Sequence, residues 1–338
     1  MFHPLAPIFS LLFGLLSLAV LGYGGHFLWE YWDYVRSSES DRRLIEIASR
    51  VAPEAKLWWG LGLLAFSGLG RFLVLPLLGR SGTDDPKPAR SKEVRVLERP
   101  DGAKIHVEFF GREDAPPIVL THGFSNDSTT WYYLKRLQEE FRLIVWDLRG
   151  VGFSEGSRDQ NYALEAMAGD LRAVLDLAGP DRRPLLVGHS MGGMIALTLL
   201  RDAAQRERIA GLVLLNTTYT NPTRTCSLRS LATALQKPVL EPVLWLNNFV
   251  WPLTWLANWS SYSNGTAHLQ TRISAFAGNQ TRGQVEHSTR MSVECSPKVL
   301  ARQALGMLRY EARDVLPQVD LPALVITAPK DTATEPDA

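Results

Sequence analysis

The sequence predicts an α/β fold: a mostly parallel sheet covered by helices on both faces, carrying a helical insertion and preceded by one or two N-terminal transmembrane helices. Three observations predict it. Continuous apolar runs alternate with amphipathic segments between residues 93 and 215. From about 217 to 314 that alternation stops, strand signals become sparse, and Trp245, Trp251, Trp255 and Trp259 crowd together. No Asp, Glu, Lys or Arg occurs from Met1 to Trp29.

The leader from Leu5 to Trp29 is long enough to span a bilayer, which takes roughly 20 mainly apolar residues. A cleaved signal peptide is the competing reading. It is disfavoured because the leader lacks a basic n-region and a clean small-x-small site. Tyr23, Trp29, Tyr31, Trp32 and Tyr34 resemble an interfacial aromatic belt. A second apolar stretch, Leu57 to Leu78, opens with Trp58-Trp59 and is interrupted by Arg71. A central arginine costs roughly 2.5–3.5 kcal/mol on insertion scales. Snorkelling, or pairing inside a helical hairpin, reduces that cost. A second span is expected, with an interfacial or re-entrant segment as the alternative. Arg36, Arg42, Arg43, Arg50 and Lys56 flank one side of this segment and Arg80, Lys87, Arg90 and Lys92 the other, so the positive-inside rule does not fix orientation. Residues 1–80 therefore read as a membrane anchor with spans at about 5–29 and 57–78. Residues 81–92, rich in Pro, Gly and Ser, read as a linker.

The soluble domain, 93–338, opens with two strands around the Pro100-Asp101-Gly102 turn. Strand 117–121 precedes a helical pattern from Trp131 to Phe141. Strand 142–147 precedes a helix with Leu164, Met167, Ala168, Leu171, Val174 and Leu175 on one face, spacings that fit a 3.6 period. Pro184-Leu185-Leu186-Val187 then runs into Gly188-His189-Ser190-Met191-Gly192 and a helix-like segment from Gly193. A serine on so sharp a strand-to-helix turn takes a strained conformation and presents its hydroxyl above the sheet. Gly188 and Gly192 leave room for close packing. A glycine-rich helix entry with an N-cap serine is the plainer alternative. Strands at 212–215 and 324–326 complete the pattern.

Composition narrows the function. A net charge of +1 and the lack of a basic, aromatic-laced block give no nucleic-acid surface. Cys226 and Cys295 are the only cysteines, which provides no zinc spacing and no disulfide framework. Neither a metal nor a cofactor is expected. Gly150-x-Gly152 is too incomplete a pattern for a dinucleotide.

The Gly188–Gly192 segment resembles the nucleophile elbow of the α/β-hydrolase family. Pro117 to Phe124 resembles that family's strand and HG oxyanion loop. Arg142 to Ser154 resembles its next strand and D-x-R-G-x-G-x-S loop, and Leu324 to Asp331 its acid-bearing strand. The resemblance covers about residues 93–338 and implies the family's fold, with a cap at about 217–314. It implies Ser190 as nucleophile and Asp331 as the acid that orients an imidazolium. It makes the backbone N–H groups of Phe124 and Met191 the oxyanion donors, supported by His122 and Gly123. Asp147 becomes a loop-structuring residue. Dehalogenases and epoxide hydrolases of this fold carry aspartate at the elbow, where this chain has serine. The family's histidine follows its acid, yet no histidine lies beyond His287. His122, His189, His268 and His287 are not expected to serve as base. The expectation is a hydrolase truncated before its last strand, last helix and histidine. By family it is a membrane-anchored serine esterase or lipase whose partners are a small lipophilic ester and a lipid membrane. The alternative is a catalytically incomplete chain, inactive as given.

Overall fold

The computed structural model describes residues 3–49 and 51–336; Arg50, one of the basic flanking residues, lies outside them. The chain opens with α1 (Ala6–Arg36), α2 (Glu39–Ala48), α3 (Pro53–Leu69) and α4 (Arg71–Leu78). The sheet-bearing part follows as β1 (Val94–Glu98), β2 (Lys104–Phe110), β3 (Pro117–Thr121), β4 (Arg142–Trp146), α5 (Leu164–Asp176), β5 (Leu185–His189), α6 (Met191–Leu199), α7 (Ala203–Glu207) and β6 (Gly211–Leu215). The cap contributes α8 (Arg229–Leu235), α9 (Glu241–Asn264), α10 (Thr266–Ala275), α11 (Arg282–Glu294) and α12 (Pro297–Met307), before β7 (Ala323–Ile326).

The strands form one sheet in the order β1-β2-β4-β3-β5-β6-β7. β1, β2 and β4 pair antiparallel, and every other pairing is parallel. Parallel strands buried on both faces read as unbroken apolar runs, which is why β3 and β4 show no alternation in sequence. The alternation exists in space. Val119, Ile144, Trp146 and Leu186 join the core beneath α5 and α6. Their neighbours Ile118, Leu120, Leu143, Val145 and Val187 pack on the opposite face with Trp131. Trp131 lies in the 3-10 stretch Ser128–Glu139, the observed form of the helical pattern expected after β3. All six apolar positions expected on one face of α5 are buried.

α1 is long and apolar enough to cross a membrane. Its buried residues are Gly14, Ser17 and Gly24, so close approach at small residues, rather than knob packing, holds it. A Cβ at Gly60 of α3 would lie 3.0 Å from the Gly24 carbonyl oxygen. Buried Lys56 pairs with Glu30 across the same interface at 3.4 Å. The second apolar stretch is not one straight helix: α3 and α4 meet at a 55° bend. The bend falls at Gly70, where a Cβ would lie 2.7 Å from the Asn264 carbonyl oxygen. Arg71, directly after it, finds partners in the cap as well as in α4. It sits 4.0 Å from Glu286 and over the Phe72 and Tyr262 rings. Residues 81–92 carry no helix or strand, yet Ser91 and Arg90 are bound to Glu108 of β2. Cys226 and Cys295 are buried and unbridged.

Candidate active site

β5 ends at His189 and α6 begins at Met191, leaving Ser190 alone on the turn with φ 52° and ψ −119°. A left-handed φ strains a non-glycine residue by about 1–3 kcal/mol, so the surroundings must hold it there. They do so by hydrogen bonds. The Ser190 N–H donates to the Leu215 carbonyl of β6 at 2.9 Å, and Thr217 Oγ1 donates to the Ser190 carbonyl at 2.6 Å. Space is as tight as the spacing predicts. A Cβ at Gly188 would lie 2.7 Å from the Gly192 carbonyl oxygen, and one at Gly192 would meet the carbonyls of Thr121 and His122.

The loop after β3 closes directly over this turn. A Cβ at Gly123 would sit 3.0 Å from the Ser190 Cβ and 2.9 Å from His189 Nδ1. Phe124 follows, buried. Met191 heads α6, whose first turn receives no side-chain cap from Ser190. His122 is buried and fully engaged. Its Nδ1–H donates to the Gly123 carbonyl at 2.9 Å, and its Nε2 accepts the Leu148 N–H at 3.0 Å. Those bonds fix the neutral tautomer, and burial lowers its pKa. His189 is half-buried, edge-on to Trp131, and desolvation brings its pKa to about 3.

Asp147, at the end of β4, ties two loops together. Its carboxylate accepts the Ser128 N–H at 2.7 Å and the Phe153 N–H at 2.9 Å. Arg90 completes this knot, reaching Asp147 at 3.0 Å, Glu108 at 2.7 Å and Asp127 at 3.4 Å. Burial alone would raise the Glu108 pKa. Hydrogen bonds from His106, the Ser91 N–H and Arg90 outweigh it and bring the carboxyl to about 2. Nothing in the local pattern around Arg90 signals this role, because its partners are 18 or more residues away.

Asp331 stands in the turn beyond β7, at the same carboxyl edge of the sheet as Ser190. Its Oδ1 accepts the N–H groups of Ala333 at 2.8 Å and Thr334 at 3.1 Å, and its Oδ2 accepts the Thr334 hydroxyl at 2.6 Å. Among the described residues no histidine is hydrogen-bonded to Ser190 or Asp331. His268 bonds Glu286 at 2.7 Å. His287 approaches Thr129 Oγ1 at 3.4 Å. His3 is 3.4 Å from Ser227 Oγ, and burial lowers its pKa against the opposing pull of Ser227 and Asp331.

A cavity of about 410 Å³ lies over the elbow, reaching Phe124 and His189. The cap supplies most of its wall, including Leu244, Leu246, Val250 and Met291. The first turns of α1 contribute Ala6, Pro7, Ser10 and Leu11, and the segment after β3 adds Ser125, Asn126 and Thr130. Thus α1 forms part of the cavity wall, although residues 81–92 separate it in sequence from the sheet.

An elbow serine at the carboxyl edge of a largely parallel sheet, roofed by a helical cap, defines an α/β-fold hydrolase. The profile of the alpha/beta hydrolase fold matches residues 116–337, and the chain belongs to that family. Among curated proteins it is similar to epoxide hydrolase 4 of Homo sapiens, 30% identical over 139 residues, which are 40% of this chain and 37% of that protein. The match thus spans little more than a third of this relative's length. Solved structures with the same fold include a hydrolase from Pseudomonas aeruginosa PA01, with TM-score 0.52 and 23% identity over 73% of this chain and 84% of that one. An esterase from Exiguobacterium antarcticum gives TM-score 0.53 at 22% identity, covering 72% and 83%.

Proposed function

We propose that the chain is a membrane-anchored serine hydrolase of carboxylic esters, with lipophilic acyl esters as its substrate class. The observation that carries the reading is Ser190 at φ 52° with the Gly123 loop against it, next to a largely apolar cavity that reaches its neighbours His189 and Phe124. The similarity to epoxide hydrolase 4 is too partial to transfer that protein's named activity, and the elbow residue here is serine.

In this reading the Ser190 oxygen attacks the acyl carbon as a base removes its proton. The oxyanion that forms is stabilised by the preorganised N–H groups of Met191 and Phe124. Collapse expels the alcohol, which takes the proton back from the base. Water then hydrolyses the acyl-serine by the same steps. Asp331 serves to stabilise the protonated base. His122 and Gly123 hold the oxyanion loop, and Gly188, His189 and Gly192 hold the elbow.

The alternative, that the 338-residue chain is inactive as it stands, is favoured by one observation: no described histidine is bonded to Ser190. A single experiment addresses both readings. Hydrolysis of p-nitrophenyl butyrate by this chain and by Ser190→Ala is compared with and without added imidazole. Without imidazole the two proteins should hydrolyse equally. With imidazole supplying the base, the parent chain should exceed the variant. Equal rates in both conditions overturn the serine hydrolase reading. An excess without imidazole shows that a base is already in place and removes the alternative.

A further inference from the structure

The cap helix α9 is unusual for an element that roofs an enzyme pocket. Residues 242–271, which span nearly all of α9 and half of α10, contain no Asp, Glu, Lys or Arg. Along α9 the large apolar side chains Trp245, Phe249, Leu253 and Leu256 recur at helical spacing and are exposed, Phe249 at 63% and Leu253 at 54%. Exposed apolar patches of such extent mark interaction surfaces.

The neighbour of this face identifies its occupant. α1 runs beside α9 in the same direction: a Cβ at Gly14 would lie 2.9 Å from the Ala257 Cβ, and Ser17 Oγ is 3.0 Å from Ser261 Oγ. One turn further along the chain, Thr266 Oγ1 closes the hydroxyl cluster at 3.0 Å from Ser17. The second half of α9 therefore lies level with the first half of α1. Phe9, Leu12, Leu15 and Leu16 of α1 are themselves exposed. If α1 is in lipid, no polar boundary separates α9 from the same lipid. An aqueous partner protein would meet a surface without one charge to register it.

We propose that α9 lies in the bilayer beside α1, and that a lipid acyl chain enters the active-site cavity directly from the membrane between these two helices. This rests on the membrane-anchored reading above. Leu11 of α1 and Leu246 and Val250 of α9 line the cavity while remaining 37%, 50% and 37% exposed. They form an apolar mouth that opens beside the lipid-facing surface. Behind the mouth the fully buried lining residues are mainly apolar, with Leu244, Met291, Val293 and Ala301. This lining suits a substrate whose acyl tail stays in lipid-like surroundings while its ester is drawn toward Ser190. The substrate class is thereby narrowed to esters of membrane-resident acyl chains.

The test uses the full chain in phosphatidylcholine vesicles, with a nitroxide placed at Phe249→Cys, Leu253→Cys or Leu16→Cys. The native cysteines are buried. A second preparation contains phosphatidylcholine bearing a photoactivatable diazirine within its acyl chain. Expected are labels at all three positions that collide with dissolved oxygen and are shielded from an aqueous nickel chelate, together with diazirine crosslinks at Ser288 or Ser292 of the cavity wall. A shielded label at Leu16 with nickel-accessible labels at Phe249 and Leu253 overturns this inference and leaves the anchor standing. Nickel access at Leu16 overturns the anchor itself. Shielded labels without a crosslink in the cavity overturn the entrance route.

Discussion

At Ser190 a φ of 52° in a residue with a Cβ concentrates the consequences of the sequence pattern in one place. The glycines around it are there for space, and the demand differs between them. At Gly192 a Cβ would lie 2.7 Å from the His122 carbonyl oxygen. Gly192→Ala should therefore cost about 1–3 kcal/mol, as overpacking does. Gly169, on α5, has nothing within 4 Å of a built Cβ. Gly169→Ala should stabilise by roughly 0.5–1 kcal/mol, through the lower backbone entropy of the unfolded chain. Urea midpoints moving in opposite directions at constant m-value check both. Glu108 gives a pH prediction. Its folded pKa of about 2 lies below its ordinary value of 4.5. Its contribution is present above pH 4.5 and lost as pH falls toward 2. A shift of that size is worth on the order of 3 kcal/mol. Glu108→Gln should lose stability at neutral pH and flatten the dependence across that window, measured by urea denaturation at stepped pH. The elbow was legible because a strand, a G-x-S-x-G turn and a helix are contiguous in sequence. The Arg90 knot was not, because it joins a linker residue to carboxylates on β2, β4 and the loop after β3.

Between elements, the same distinction separates what periodicity shows from what contact imposes. The strands, α5 and the apolar leader were all legible, since each announces itself within its own span. The 55° bend between α3 and α4 was not. Its position depends on Gly70 meeting Asn264 of α9, nearly 200 residues away, and hydropathy alone reads the segment as one span. The interface of α1 with α3 carries a buried ion pair whose two members are unequally covered. Lys56 is buried, and Glu30 is partly exposed. Removing Glu30 strands an ammonium group away from water, whereas removing both charges leaves a packed apolar contact. Glu30→Gln should thus destabilise by on the order of 1–3 kcal/mol, a range reduced for Glu30's access to solvent. Adding Lys56→Met should recover most of that loss. Thermal unfolding of the single and double variants in detergent reads the coupling. Additive losses would mean that the pair contributes only as two independent side chains.

For the whole molecule, the sheet's two ends are treated differently by the fold. At one end β1 and β2 pair antiparallel and Arg90 docks the preceding segment against them. At the other end β7 pairs with β6 on one side only, and each of its four residues is exposed. Leu324, Val325 and Ile326 therefore present an apolar edge whose backbone donors and acceptors have no strand beyond them among the described residues. Proteins usually blunt such an edge with a charge, a bulge or a covering element, because it templates pairing with a second chain. β7 is blunted only by its shortness, since its four residues carry no charge. The predicted consequence is self-association through β7, separate from any association through the apolar helices, which detergent covers. In detergent, sedimentation velocity should show oligomers that grow with protein concentration. Val325→Lys, which places a charge on the open edge without disturbing a buried side chain, should shift the distribution to the single-chain species. Phe249→Ser, on the face of α9 that detergent shields, should leave it unchanged. If Val325→Lys leaves the oligomers intact, association runs through another surface and the edge of β7 is not its cause.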